Sequence, residues 1–206
     1  MYTTEVDIQQ DWQEPGGRLP APDVALHRLQ DFVNTNDVEG DADALATPEK
    51  LRDWLKAAAA LHTGAAVSRE AHERAITIRE GLRALGEANN GEPLDAARVA
   101  AMNHAAARIP LVASVGNAEA WTLTGAEEGV DGYLGGILAT LLSSMADGSW
   151  SRVKACRNDT CHWLFYDASR NRSGTWCTMA ICGSRMKARA YRARQRGAGQ
   201  KADARA

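Results

Sequence analysis

CRNDTCHWLFYDASRNRSGTWCTMAICGSRMKARAYRARQR, residues 156–196, contains all four cysteines of a 206-residue chain. They fall into two pairs, Cys156/Cys161 and Cys177/Cys182, each with four residues inside the pair and fifteen between the pairs. Such spacing lets one turn of backbone offer two sulfurs to one ion, and two pairs complete a tetrahedron of soft ligands. One structural Zn2+ held by Cys156, Cys161, Cys177 and Cys182 is therefore the first reading. An iron–sulfur cluster also accepts sulfur-only ligation, although the tight ferredoxin-type cysteine runs are absent. Two disulfides would use the same residues. The start of the chain, MYTTEVDIQQDWQEPGG, is polar and acidic, so secretion is not expected and reduced cysteines are. His162, directly beside Cys161, is awkwardly placed to aim at the same ion.

The residues between the pairs suggest how such a centre is built. Trp163-Leu164-Phe165-Tyr166 reads as a strand, Ser169 to Gly174 as a polar turn, and Thr175-Trp176 as a returning strand that delivers Cys177. A helix is expected from about Met179, with Cys182 in its first turn. Knuckle, hairpin, then a helix carrying the last ligand is a treble-clef order, and a module this small depends on its metal to fold. At about 100° per residue, Met179, Cys182, Met186, Ala190 and Ala193 form a stripe expected to face the zinc. Arg185, Arg189, Arg192 and Arg196 flank it on one side, and Lys187, Tyr191 and Arg194 on the other. With Arg170 and Arg172 on the turn, the candidate nucleic-acid contacts are Arg170, Arg172, Arg185, Lys187, Arg189, Arg192 and Arg194. No acidic residue lies between Asp167 and Asp203, which favours a polyanion partner over simple solvation.

The net charge of -2 conceals a division. From Ser151 onward there are 13 Lys and Arg against 3 Asp and Glu, a net of +10; the preceding residues hold 11 and 23, a net of -12. A cationic module carried on an acidic body is the arrangement expected for a polyanion ligand. Hydrophobic content of 45% is that of an ordinary water-soluble fold, and the most apolar window, Tyr133 to Met145, is too short and too interrupted to cross a bilayer. No membrane partner is expected.

The body reads as helical. Pro22 to Thr35 supplies a first helix, and an acidic linker, Asp37 to Asp43, follows. Thr47-Pro48-Glu49 opens a second helix with a capping hydroxyl, a proline that needs no amide partner and a carboxylate at the positive end of the dipole. Ser68 caps a third helix that ends at Asn89-Asn90-Gly91, and Asp95 caps a fourth that stops near Pro110. Leu111 to Val115 and Trp121 to Thr124 suggest a hairpin, and Val130 to Met145 a last helix. His27, His62, His72 and His104 are scattered, and there is no phosphate loop, nucleophile elbow or His-Glu-x-x-His motif, so the chain is not read as an enzyme.

At these residues the chain resembles the CGNR zinc-finger family. Its Cys-Gly-Asn-Arg motif here reads Cys182-Gly183-Ser184-Arg185, within WCTMAICGSRMKARAYRAR, and WLFYDASRNRS upstream also looks like the family; the likeness covers Arg152 to Arg196. Ahead of it, LQDFVNT (Leu29 to Thr35), ATPEKLRDWL (Ala46 to Leu55), the Ile78 to Ala84 helix and Met102 to Pro110 look like the ABATE domain, the usual partner of this finger. The resemblance implies a bacterial, stress-linked transcription regulator in the cytoplasm, associated with the nucleoid. Its finger would bind zinc and duplex DNA, and its N-terminal domain would sense a small-molecule effector or form a homo-oligomer. By motif position the zinc ligands fall on Cys156, Cys161, Cys177 and Cys182. The family's basic positions fall on Arg170, Arg172, Arg185, Lys187, Arg192 and Arg194, and Ser184 replaces its usual Asn. The expected fold is α+β: a predominantly helical N-terminal domain with a small β-hairpin, then a treble-clef-like zinc finger ending in a basic helix. The expected division is an N-terminal arm (1–21), helical domain (22–148), finger (151–196) and loose tail (197–206). The alternatives are a zinc-stabilised module that docks an acidic protein or RNA, and a small-molecule-binding protein centred on the helical domain.

Overall fold

The computed structural model describes residues 20–58, 60–61, 66–117 and 120–203. Most of the expected N-terminal arm lies outside the described residues, and so does the end of the tail. Among the described residues, six α-helices and three two-stranded antiparallel ribbons follow in the order α1 (Val24–Asn34), β1 (Asn36–Asp37), β2 (Ala42–Asp43), α2 (Pro48–Ala57), α3 (Arg69–Asn89), α4 (Ala96–Ala106), β3 (Leu111–Asn117), β4 (Ala120–Gly125), α5 (Gly129–Ala146), β5 (Val153–Ala155), β6 (Leu164–Tyr166) and α6 (Ser184–Asp203). A 3-10 turn at Ser149–Arg152 leads into β5, and a π-helical turn at Met179–Gly183 leads into α6. Among the described residues no helix is long and apolar enough to cross a membrane.

The helix starts follow local chemistry. Asp23, Thr47, Ser68 and Asp95 each accept a hydrogen bond from a backbone amide three residues on, the amides of Leu26, Lys50, Ala71 and Arg98, which satisfies a donor the helix itself cannot. Leu29, Phe32 and Val33 of α1, Leu51 and Leu55 of α2, Ala75, Ile78 and Leu82 of α3, and Leu134 and Ile137 of α5 build the core. Phe32, Trp54 and Tyr133 meet edge to face or tilted, with centroids 5.5–6.2 Å apart, and so lock α1, α2 and α5 together. The expected hairpin is present as β3 and β4, longer than predicted, with a bulge between Val115 and Asn117. Asp37 to Asp43, read as a linker, is instead closed into the β1–β2 ribbon.

The finger is not a pendant module. Val153, Ala155 and Leu164 of β5 and β6 belong to the same buried cluster as Phe32, Ile78 and Leu134, whereas Trp163 and Phe165 pack with the four cysteines. The two-residue period of a strand therefore sends one face of β6 into the body and the other toward the sulfurs. Gly86 of α3 permits this approach: a Cβ there would lie 3.2 Å from Leu164 Cδ1 and 3.3 Å from the Ala155 amide nitrogen. The edges of the β5–β6 ribbon are read by amide side chains of the body. Asn34 accepts from the Leu164 amide at 2.8 Å and donates to the Leu164 carbonyl at 2.9 Å. Asn89 donates to the carbonyls of Trp150 and Val153, and Asn90 to those of Ala155 and Thr175. Arg83, 2% exposed on α3, donates to the carbonyls of Val33 and His162.

Candidate metal centre and basic surface

Cys156 and Cys161 sit in the knuckle between β5 and β6. Its backbone is closed by Cys156 N–H donating to Trp163 O at 2.9 Å and Cys161 N–H donating to Asn158 O at 2.8 Å. His162, next in line, takes a left-handed φ of 52° that returns the chain toward β6. Cys177 precedes the π-helical turn and Cys182 lies within it, and Thr178 caps that turn by accepting from Ile181 N–H at 3.0 Å. The fold thus brings all four predicted ligands together in a pocket where none is more than 6% exposed.

All four sulfurs lie within 4.8 Å of one another, with Cys161–Cys177 at 3.8 Å and Cys177–Cys182 at 3.6 Å. A tetrahedral zinc with bonds of about 2.3 Å sets its sulfurs about 3.8 Å apart, and a disulfide would need about 2.05 Å. No disulfide joins the four cysteines, and the space between them suits one ion rather than a multi-iron cluster. His162 is not among them, because its Nδ1 lies 3.1 Å from Glu87 Oε1 on α3.

The chemistry of the donor set points the same way. The hydrogen bond to Cys161, with burial behind it, pushes the Cys156 thiol up to about 12. At Cys161 the bond to Cys156 acts downward, but Cys177 and burial outweigh it and carry that thiol to about 12 also. Burial acts against the Cys182 thiolate too, yet the Asn158 amide donating to its sulfur at 3.6 Å, together with the neighbouring cysteines, holds that thiol below the usual range. A bound divalent cation favours the thiolates and converts four crowded thiols into one charge-balanced unit. Asn158 and its orienting bond were not anticipated from the sequence.

The returning strand expected at Thr175-Trp176 is not formed; the partner of β6 is β5. What holds the intervening turn is a buried ion pair. Lys154 Nζ of β5 lies 2.7 Å from Asp167 Oδ2 and donates to the carbonyls of Arg172 and Gly174 at 2.5 and 3.0 Å. Burial works against the Asp167 carboxylate, but bonds from Lys154, Ser169 and Gly174 prevail and hold its pKa at about 2. Charged residues usually read as surface, so composition alone gives no sign of this pair.

Arg170, Arg172, Arg185, Lys187, Arg189, Arg192 and Arg194 are all exposed. Arg170 and Arg172 sit on the turn, Arg172 with φ of 50° and its guanidinium donating to Ser151 Oγ at 2.9 Å. Arg185 pairs with Glu39 of the β1–β2 loop, and Arg189 with Asp159 of the knuckle at 2.8 Å. Arg192 Nε donates to its own helix at Ala188 O. Among the described residues no ion pair engages Arg170, Lys187 or Arg194. The expected apolar stripe of α6 is only half real: Cys182 is buried and Met186 half-buried, but Met179 is 55% exposed and Ala190 and Ala193 are exposed. From Lys187 to Arg196 the helix is exposed on every side, and its regular structure runs on to Asp203, past the point where the tail was expected to loosen.

With that geometry in place, comparison with known families gives two matches in chain order. The ABATE family, described as "Putative stress-induced transcription regulator", matches residues 26–148. The CGNR zinc finger matches residues 152–195. No curated protein matches the chain.

Proposed function

Because the chain belongs to the ABATE family and carries a CGNR zinc finger behind that domain, we propose that it is a DNA-binding transcription regulator whose basic helix and basic turn contact duplex phosphates. The observation that carries this reading is α6 between Lys187 and Arg196. A surface helix ordinarily buries one face, and its stability comes largely from that packing. This one is exposed all round and bears Lys187, Arg189, Arg192, Arg194 and Arg196 with no acidic residue in the stretch itself; among the described residues only Asp159 of the knuckle pairs with it, at Arg189. A cationic rod that buries no face of its own is suited to a groove lined by phosphates, which supplies both charge and enclosure. Zinc supplies the rigid root: it fixes the turn from which α6 departs, and the knuckle holds Arg189 through Asp159.

The ABATE body supplies sensing or assembly. A cleft of about 430 Å3 lies between Leu26, Trp121, Leu123 and Thr140 of the body and Tyr166 of β6, so a small-molecule effector there would touch the strand that leaves the knuckle. Neither family is one of enzymes, and the reading places the regulator in the bacterial cytoplasm at the nucleoid, acting as a homo-oligomer or on its own. The test is anisotropy of labelled duplex DNA at several salt concentrations, with and without chelator. Engagement of four to six phosphates gives a log–log salt slope of roughly -4 to -5, lost on zinc removal. Binding indifferent to both salt and chelator overturns the reading. Capture of a partner that survives nuclease treatment would replace DNA with an acidic protein surface.

A further inference from the structure

We propose that Lys154 and Asp167 are positioning residues for the polyanion contact: they fix the turn 168–174 so that Arg170 and Arg172 meet phosphate already ordered. This rests on the DNA-binding reading and specifies which buried groups serve it.

Lys154 is 5% exposed and Asp167 3%. An ammonium has three protons to place, and each finds one acceptor: Asp167 Oδ2, the Arg172 carbonyl and the Gly174 carbonyl. Asp167 in turn accepts from Ser169 N–H at 3.0 Å and Gly174 N–H at 2.8 Å. The turn is thereby tied to the pair at both ends and at its left-handed residue, Arg172. Arg152 adds bonds to the carbonyls of Asp167 and Ser169 at 2.9 and 3.0 Å. Gly174 is required by this closeness, because a Cβ there would stand 2.8 Å from Asp167 Cγ.

A buried ion pair is a weak device for stability alone, since apolar residues of the same volume often serve as well or better. An apolar pair, however, could not hold the carbonyls of residues 172 and 174. What the ion pair supplies is the shape of an exposed turn whose outward side chains are Arg170 and Arg172. Ordering such a turn in advance removes a cost that binding would otherwise carry.

Asp167→Asn tests this with opposite signs. It removes a negative charge from the finger, so bulk electrostatics alone would tighten DNA binding. Loss of positioning instead weakens it about tenfold, as expected when two long side chains must be ordered on binding. Zinc stoichiometry should stay at one, trypsin should cut faster after Arg170 and Arg172, and Asp167→Asn should have no further effect in an Arg170→Ala/Arg172→Ala background. Lys154→Met should behave alike. Unchanged or tighter binding, equal loss in both backgrounds, or loss of zinc with either variant overturns the proposal. A wild-type chain that ignores duplex DNA while its turn resists trypsin would instead remove the regulator reading itself.

Discussion

Asn34→Ala should destabilise zinc finger and helical body together. The Asn34 side chain, 7% exposed on α1, is bonded to both backbone groups of Leu164, a residue with no exposed surface 130 positions away. After truncation the Leu164 carbonyl keeps Gln30 Nε2 at 3.2 Å, but the amide loses the 2.8 Å acceptor that Asn34 provides. A buried donor left unmatched costs about 1–3 kcal/mol, so the loss should be about 2 kcal/mol and the midpoint of thermal unfolding should fall by roughly 4–8 °C for a chain of this size. Asn90→Ala removes the donor to Ala155 O and Thr175 O and should cost a similar amount. The assay is a single thermal ramp that follows helical circular dichroism and zinc release by a chromogenic dye. One coincident transition, moved as a unit by either substitution, is expected because β5 and β6 belong to the body's core. Two separate transitions, with Asn34→Ala shifting only one, would refute the reasoning and restore an independent finger.

Glu39→Gln releases Arg185 from the β1–β2 loop and should tighten duplex binding a few-fold at low salt, read by anisotropy; weaker or equal binding would mean that Arg185 lies off the contact surface. Arg185→Ala/Arg192→Ala should lower the magnitude of the salt slope by about 1.8 with zinc content unchanged, and an unaltered slope would move the contact elsewhere. The Asp167 pKa of about 2 is depressed below the ordinary carboxylate value of about 3.9, so its contribution is present above pH 4 and is lost as pH falls toward 2. It amounts to roughly 2–3 kcal/mol, so at pH 7, where zinc stays bound, wild type should exceed Asp167→Asn in urea stability by about that much; equal stabilities would contradict the assignment. Cys182→Ser removes one of four zinc ligands and should lower the body's helical unfolding temperature as well as abolish metal binding; an unmoved body would uncouple the two.

What could be read in advance and what could not divide by distance along the chain. Thr47, Ser68 and Asp95 bond to amides three residues away, so helix starts are written in short motifs. The cysteine spacing is equally local, since a knuckle and a helical turn that each present a pair of sulfurs need only meet once. Asn89-Asn90 reads locally as a helix end, and it is one; that the same two side chains also hold Val153, Ala155 and Thr175 depends on contacts more than 60 residues apart. The returning strand expected at Thr175-Trp176 fails to form for the same reason. β-propensity does not name a partner, and β6 found β5, on the near side of the knuckle. Arg79 and Arg83 are 2% exposed because Asp43, Glu80 and backbone carbonyls at the α1–β1 junction receive them, an environment assembled only on folding.

These long-range contacts make the finger's metal a term in the stability of the whole chain. Zinc fixes Cys156 and Cys161, and the knuckle sets the register of β5 against β6. That ribbon presents Leu164 and Ala155 to α1 and α3 while Asn34 and Asn90 hold its backbone. A change in the body that shifts α1 relative to α3 must therefore move either the ribbon or its hydrogen bonds. The ribbon is continuous with Asp167 and the Arg170–Arg172 turn on one side and with the zinc knuckle on the other. Coupling between a body site and the basic surface then requires no hinge between domains, because a displacement of one strand is felt at both. A small molecule that reaches Tyr166 through the cleft beside Trp121 would act on that strand directly, and its effect on DNA affinity would be bounded by how differently it binds the two positions of the ribbon.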